Sequence, residues 1–279
     1  MSALLLLLSL TAASPEAVAS GCQSVNGVWV CDDLKAAIAT SGGVGASIKA
    51  KVSDPLTVLQ GQVTFDSEGN DNPKSRYFSR KLHWPGGASG VTIGRGYDMK
   101  FRTEAEIKAD LIKAGVSAET AAELAEGAGL KGADAKKFAK DNKALVLTQA
   151  EQKALFEQVY EEYEADTRRL VCKWAGESGA ACDALWSGMD GSIQQMLIDL
   201  RYRGDLTKKR WKKWLSKPAT ANNLRAFAKV MGSSRKWSKV PDDRFNRRKA
   251  FMDAAVVAAT PVPRPRPNPR RLRRRFGPQ

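Results

Sequence analysis

The chain has 279 residues, 43% of them hydrophobic, enough to bury a sizeable core in one large domain or two lobes, and this excludes a peptide-like binder. A formal net charge of +15 asks for an anionic partner, with wall polymers, lipopolysaccharide and nucleic acid all eligible. One histidine and four cysteines with no CxxC spacing exclude a His/Cys zinc cluster of the usual kind, and no metal or organic cofactor is expected.

Residues 3–13 (ALLLLLSLTAA) form an apolar run too short to span a bilayer comfortably, and Ala17-Val18-Ala19 supplies a small-x-small cleavage site. Residues 1–19 are therefore expected to be a signal peptide, although no Lys or Arg precedes the leucines. Two other readings stand beside it: Cys22 as a lipid-modified cysteine, for which Ala19 replaces the usual leucine three residues earlier, and a buried hydrophobic N-terminal helix. In an exported chain, local disulfides are expected between Cys22 and Cys31 and between Cys172 and Cys182, one of three connectivities that four cysteines allow. Residues 20–57 read as a cap or spacer with a short helical piece near 32–40 and a Gly/Ser patch.

The chain then changes character. Leu56, Val58, Leu59, Val63 and Phe65 form an apolar-rich run leading as a short helix to Glu68. A loop through Trp84, Pro85, Gly86 and Gly87 enters the β-branched triplet Val91-Thr92-Ile93, a strand that Gly94-Arg95-Gly96 turns back on itself just before Asp98. Beyond the hairpin the pattern is helical. Thr103 with Glu106 makes a capping box opening a helix over 104–114, Ser117 opens the next to 126, and 132–142 reads as a third. Thr148 with Glu151 opens a long helix to 170, along which Leu155, Phe156, Val159, Tyr160 and Tyr163 recur at helical spacing as a core stripe.

Residues 172–190 read as a loop or short helix stapled by the second disulfide, followed by an apolar-faced helix over 191–203. Arg201 and Arg203 either line a cleft or pair with acids of the fold. Basic residues interleave with Trp211, Trp214 and Trp237 between 207 and 251, as in single-stranded nucleic-acid binders; the plainer reading buries the tryptophans and leaves the lysines in water. A final helix is expected over 242–258, containing the pair Arg247-Arg248. Residues 259–279 form a Pro/Arg-rich tail with seven arginines and no acid, an extended basic segment that presses the protein onto anionic envelope lipid, contacts nucleic acid, or is simply solvated.

Glu68, Thr92 and Asp98 are the residues built for chemistry. A glycosidase needs one carboxylic acid to protonate the leaving oxygen and a second carboxylate to activate water or attack the sugar. Phe65 and Trp84, near Glu68 in sequence, favour a protonated acid, while the polar Gly-rich turn favours an ionised Asp98, with the Thr92 hydroxyl holding a water. The segment HWPGGASGVTIGRGYDM resembles the catalytic segment of the pesticin-like and phage-type lysozymes, where a Glu ending a helix is followed by a hairpin reading S/G-x-T-I-G-x-G-x-D. Glu68, Thr92 and Asp98 match that order residue by residue.

The resemblance implies an α+β, mainly α, lysozyme-like fold over 58–258, with a small β-hairpin lobe and a larger helical lobe flanking an active-site cleft. It also implies cleavage of the MurNAc-GlcNAc bond of peptidoglycan in the periplasm or outside the cell. Trp84, Arg95 and Tyr97 are expected to bind substrate, Trp84 as a sugar-stacking ring beside His83. Carboxyl groups about 6.5–9.5 Å apart would invert the anomeric centre, and groups nearer 5 Å would retain it. A monomer is expected, with a cognate immunity protein as a possible partner. The rival readings are a non-catalytic cationic protein that binds envelope or nucleic acid on the same fold, and a chitinase-like glycosidase.

Overall fold

The computed structural model describes residues 56–260 and the backbone of two short strands, β1 (Cys22–Val25) and β2 (Val28–Cys31). The chain divides into two compact units, Met1–Ser53 and Asp54–Gln279. In the first, β1 and β2 pair antiparallel in a register that sets Cys22 opposite Cys31. The signal peptide, the lipid-modified reading of Cys22, the helix near 32–40, the side chains of the first cysteine pair and the tail beyond Thr260 lie outside the described residues.

The second unit is α+β and mainly helical, as expected. A hairpin joins β3 (Thr92–Ile93) and β4 (Tyr97–Asp98), and His83 extends this ladder on the far side of Thr92. The helices are α1 (Gln62–Phe65), α2 (Glu104–Lys113), α3 (Ala118–Ala125), α4 (Gly132–Asp141), α5 (Gln149–Ala175), α6 (Gly179–Ser187) and α7 (Gly191–Tyr202). Then come α8, a continuous run of Lys208–Arg210, a π-helical turn Trp211–Leu215 and Ser216–Thr220, followed by α9 (Leu224–Met231) and α10 (Asp242–Ala258).

Local chemistry explains most boundaries. Both expected capping boxes form, Thr103 with Glu106 and Thr148 with Glu151, each satisfying orphan N–H groups at a helix start. The long helix runs to Ala175 rather than 170, because Val171 continues the buried stripe one turn beyond Thr167 and the first residue suited to a stop is Gly176, at φ 86°. Its last turn therefore carries Cys172, whose disulfide to Cys182 on α6 spans a Cα–Cα distance of 5.3 Å. Closing so short a loop removes chain entropy from the unfolded state worth about 2–3 kcal/mol. Replacing both cysteines by Ala is expected to lower the melting temperature by about 5–10 °C, read by calorimetry, without moving the hairpin.

One apolar core runs through this unit. Phe65, Ile93, Met99, Phe156, Leu197, Trp211, Phe227 and Met252 all belong to it. Four contacts decide where chemistry can sit: α1 touches α7 and α10, α7 touches α10, and β4 packs on α5. The turn bearing Glu68 is thus held between helices that follow it by well over a hundred residues.

Candidate functional site

Glu68 stands where α1 runs out. Its N–H donates to the Thr64 and Phe65 carbonyls at 3.1 and 3.3 Å, so the residue closes the helical turn. Gly61 opens the same turn at φ 74°, and a Cβ there would meet the Tyr160 ring at 2.2 Å, so only glycine lets α1 lie against α5. Arg95, at the tip of the hairpin, reaches back to this turn. Its guanidinium donates to the Phe65 carbonyl at 3.0 Å and to the Gly69 carbonyl, and lies 4.1 Å from the Phe65 ring centroid. The two accepting carbonyls flank Glu68, so Arg95 clamps the acid-bearing turn to the hairpin.

The hairpin register sets Thr92 directly opposite Asp98. Directly opposed residues project to one face with Cβ atoms about 4.5–5.5 Å apart, so hydroxyl and carboxylate share a face. Asp98 Oδ1 accepts the Lys100 N–H at 2.8 Å, which orients the carboxylate. Gly90 is the reason it fits: a Cβ there would lie 2.4 Å from Asp98 Oδ1 and 2.9 Å from the Lys100 Cα. Gly90→Ala is therefore expected to displace the Asp98 carboxylate, and an error of about 1 Å would lower any turnover that depends on this group by about a hundredfold. Turnover within a factor of two of wild type would show that the Asp98 position does not matter.

The electrostatics around Glu68 extend inward along a ladder of ion pairs. Arg244 Nη1 lies 2.5 Å from Glu68 Oε1, and Arg244 Nη2 lies 2.6 Å from Asp199 Oδ1. Arg248 joins the other Asp199 oxygen at 2.5 Å and Asp205 at 2.9 Å, and Asp205 also meets Arg203 and Arg210 at 2.8 and 2.9 Å. The Glu68 side chain keeps 21% of its exposure, Arg244 keeps 7% and Asp199 none. Burial raises the Glu68 carboxyl above its ordinary value of 4.5, the Arg244 charge and hydrogen bond pull it back, and the net direction is upward.

Tyr163 stands where the fields of both carboxylates meet. Burial raises its phenol first, and the Glu68 and Asp98 charges each add to the rise. The ring stacks on Tyr202 at 4.2 Å between centroids, and Tyr202 donates its hydroxyl to the Arg95 carbonyl at 2.6 Å. His83 exchanges two backbone hydrogen bonds with Thr92, both 2.9 Å, and burial lowers its imidazole while the Asp98 charge opposes that shift.

Two expected substrate residues turn out to be scaffold. Arg95 is 1% exposed and Tyr97 2%, leaving neither a surface to offer a ligand. Tyr97 donates to Asp110 Oδ2 at 2.7 Å and lies under the Arg102 guanidinium, which makes it a core tyrosine of the hairpin. Trp84 is half-buried, with the Lys136 ammonium 5.7 Å from its ring centre and no hydrogen-bond partner for its Nε1–H among the described residues. Arg201 and Arg203 pair with Asp166 and Asp205.

Sequence reasoning missed Arg244 and Asp199. Asp199 had a signal, an acid among the buried Met196, Leu197 and Leu200 of one helix. Arg244 and Arg248 stand one turn apart on α10, a spacing that the adjacent pair Arg247-Arg248 masks in the sequence. Cavities of about 300 and 560 Å³ open elsewhere, one beside Asn222 and Val256 and the other beside Trp174 and Trp211, and neither Glu68 nor Asp98 lines them. Among the described residues no group of three or more His, Cys, Asp or Glu side chains is arranged to hold a metal ion.

A family described as a domain of unknown function, DUF8812, matches residues 61–249, a span that takes in Glu68, Thr92, Asp98, Asp199 and Arg244. No curated protein matches the chain.

Proposed function

We propose that this chain, which belongs to the DUF8812 family, is an exported glycoside hydrolase of lysozyme-like fold that cleaves the MurNAc-GlcNAc bond of peptidoglycan. The observation that carries the reading is a partly buried carboxyl with a raised pKa, on a turn that Arg95 clamps to a hairpin with Thr92 facing Asp98. Glu68 gives its proton to the glycosidic oxygen as the bond breaks. Asp98 stabilises the oxocarbenium-like sugar and activates the incoming water, which the Thr92 hydroxyl helps to hold. Arg244 touches no sugar in this scheme; it positions Glu68 and sets how tightly the proton is held. The half-buried Tyr163, stacked on Tyr202, and Trp84 are the aromatic surfaces offered to the glycan.

Export is supported by the leader-like start and by the disulfide between Cys172 and Cys182, which a reducing cytosol would not maintain. The test is release of new reducing ends from purified peptidoglycan by the full chain. New ends carrying MurNAc are the expected result. Cleavage of soluble chitooligosaccharides with no attack on peptidoglycan would move the activity to chitin, and inertness toward both glycans would sink the enzyme reading.

A further inference from the structure

Residues 206–241 contain eleven lysines and arginines and no aspartate or glutamate. They fold as α8, α9 and the turn that follows. Elsewhere some exposed helical lysines have a carboxylate one turn away, as Lys137 has Asp141 and Lys249 has Asp253. Along α8 the residues four apart are instead Lys208 with Lys212, Lys209 with Lys213, and Lys213 with Lys217, all exposed. Like charges at that spacing destabilise a helix, so this array does not serve the fold. Among the described residues, Arg210 is the one of the eleven that pairs with a carboxylate, through Asp205.

The aromatics decide which polyanion this surface suits. Trp211 and Trp237 are buried. Trp214 sits edge-on to Trp237 at 6.1 Å, with the Lys213 and Lys236 ammonium groups 5.5 and 6.0 Å from its ring centre. No bare ring is offered for a base to stack on, which removes the platform that single-stranded nucleic acid uses. The same geometry joins the cations of α8 to those of the turn after α9, around one ring. Eight of the eleven are lysines, compact hydrated charges on flexible stems, which suit fluid phosphates of no fixed geometry better than the bidentate fork of Arg does.

We infer that the α8–α9 face adsorbs onto the phosphate headgroups of an anionic bilayer, independently of Glu68. The large exposed apolar side chains, such as Leu59, Phe101 and Val257, lie outside this segment, so the adsorption is electrostatic, without insertion, and screened by salt.

The full chain is sedimented with vesicles of equimolar phosphatidylglycerol and phosphatidylcholine, and with vesicles of phosphatidylcholine alone. Binding is expected to the first only, and to be lost by about 0.5 M salt. The variant Lys208→Glu/Lys212→Glu/Lys217→Glu should bind about a hundredfold more weakly with its melting temperature held, and a Lys→Gln set serves if the reversal unfolds. Glu68→Gln should bind as wild type does. Two results would overturn the inference. One is a triple variant that binds normally while full-length chain with the arginines of 264–275 changed to Ser does not. The other is duplex DNA bound more tightly than the vesicles at equal salt, with that binding lost in the triple variant.

Discussion

Glu68→Gln is expected to leave a folded protein that releases no measurable reducing ends from peptidoglycan, a loss of about 10²–10⁴ in turnover for a missing general acid. Gln keeps the volume and can still accept from Arg244, which retains its second partner Asp199 at 2.6 Å. The pH profile of wild type identifies the proton involved. Activity should fall on the alkaline side as Glu68 ionises, at a pH above that of an ordinary Glu because burial raises the group. Arg244 is the largest influence pulling that value down, so Arg244→Gln should move the alkaline limb to higher pH. A limb that stays put in this variant would sever Arg244 from the acid.

Stability offers an independent check with a definite sign. A carboxyl whose folded pKa exceeds its unfolded value of 4.5 binds its proton more tightly when folded. Its contribution is complete below about pH 4.5 and is lost as pH rises through the folded value. Once ionised, the partly buried Glu68 opposes folding. Glu68→Gln should therefore unfold at or above the wild-type temperature at pH 7, and a variant that melts well below it would mean that the Glu68–Arg244 pair is a stabilising strut.

The second large effect is expected at Asp199. Its fully buried carboxylate accepts from Arg244 with one oxygen and from Arg248 with the other. Asp199→Ala would leave two buried guanidinium groups facing each other, and breaking a buried ion network from one side costs about 3–5 kcal/mol. In a unit of this size that lowers the melting temperature by about 10 °C or more. Denaturant unfolding measures it, and a loss under about 1 kcal/mol would show that water or rearrangement replaces the carboxylate. Changing Asp199 and Arg248 together to Leu and Met should recover part of the loss, because the uncompensated charge leaves with its partner.

These residues also mark where the sequence stopped being readable. Capping boxes and the β-branched triplet before Gly94 act within a few residues, and each of them formed where its local chemistry placed it. The meeting of Thr92 with Asp98 was legible for the same reason, since the hairpin turn fixes one against the other. The ladder was not, because Arg244 meets Asp199 across 45 positions and Glu68 across 176, and no periodicity encodes such a meeting. Arg95 and Tyr97 were misread as ligand-facing because they neighbour Asp98 in sequence. Their burial is set by Phe65, Asp110 and Tyr202, which come from other elements. The extra turn of α5 was missed because a disulfide was expected to mark a loop, whereas Cys172 is helical.

The 176 positions between Glu68 and Arg244 have a consequence for the order in which the molecule is made. A chain synthesised or threaded through an export channel from its N-terminus presents Glu68 and the hairpin early and α10 nearly last. Until residue 244 has emerged, the turn carrying Glu68 lacks both its cation and the helix that packs on α1. The surroundings of Glu68 are therefore completed only when almost the whole chain has emerged, and a prematurely ended product would lack them.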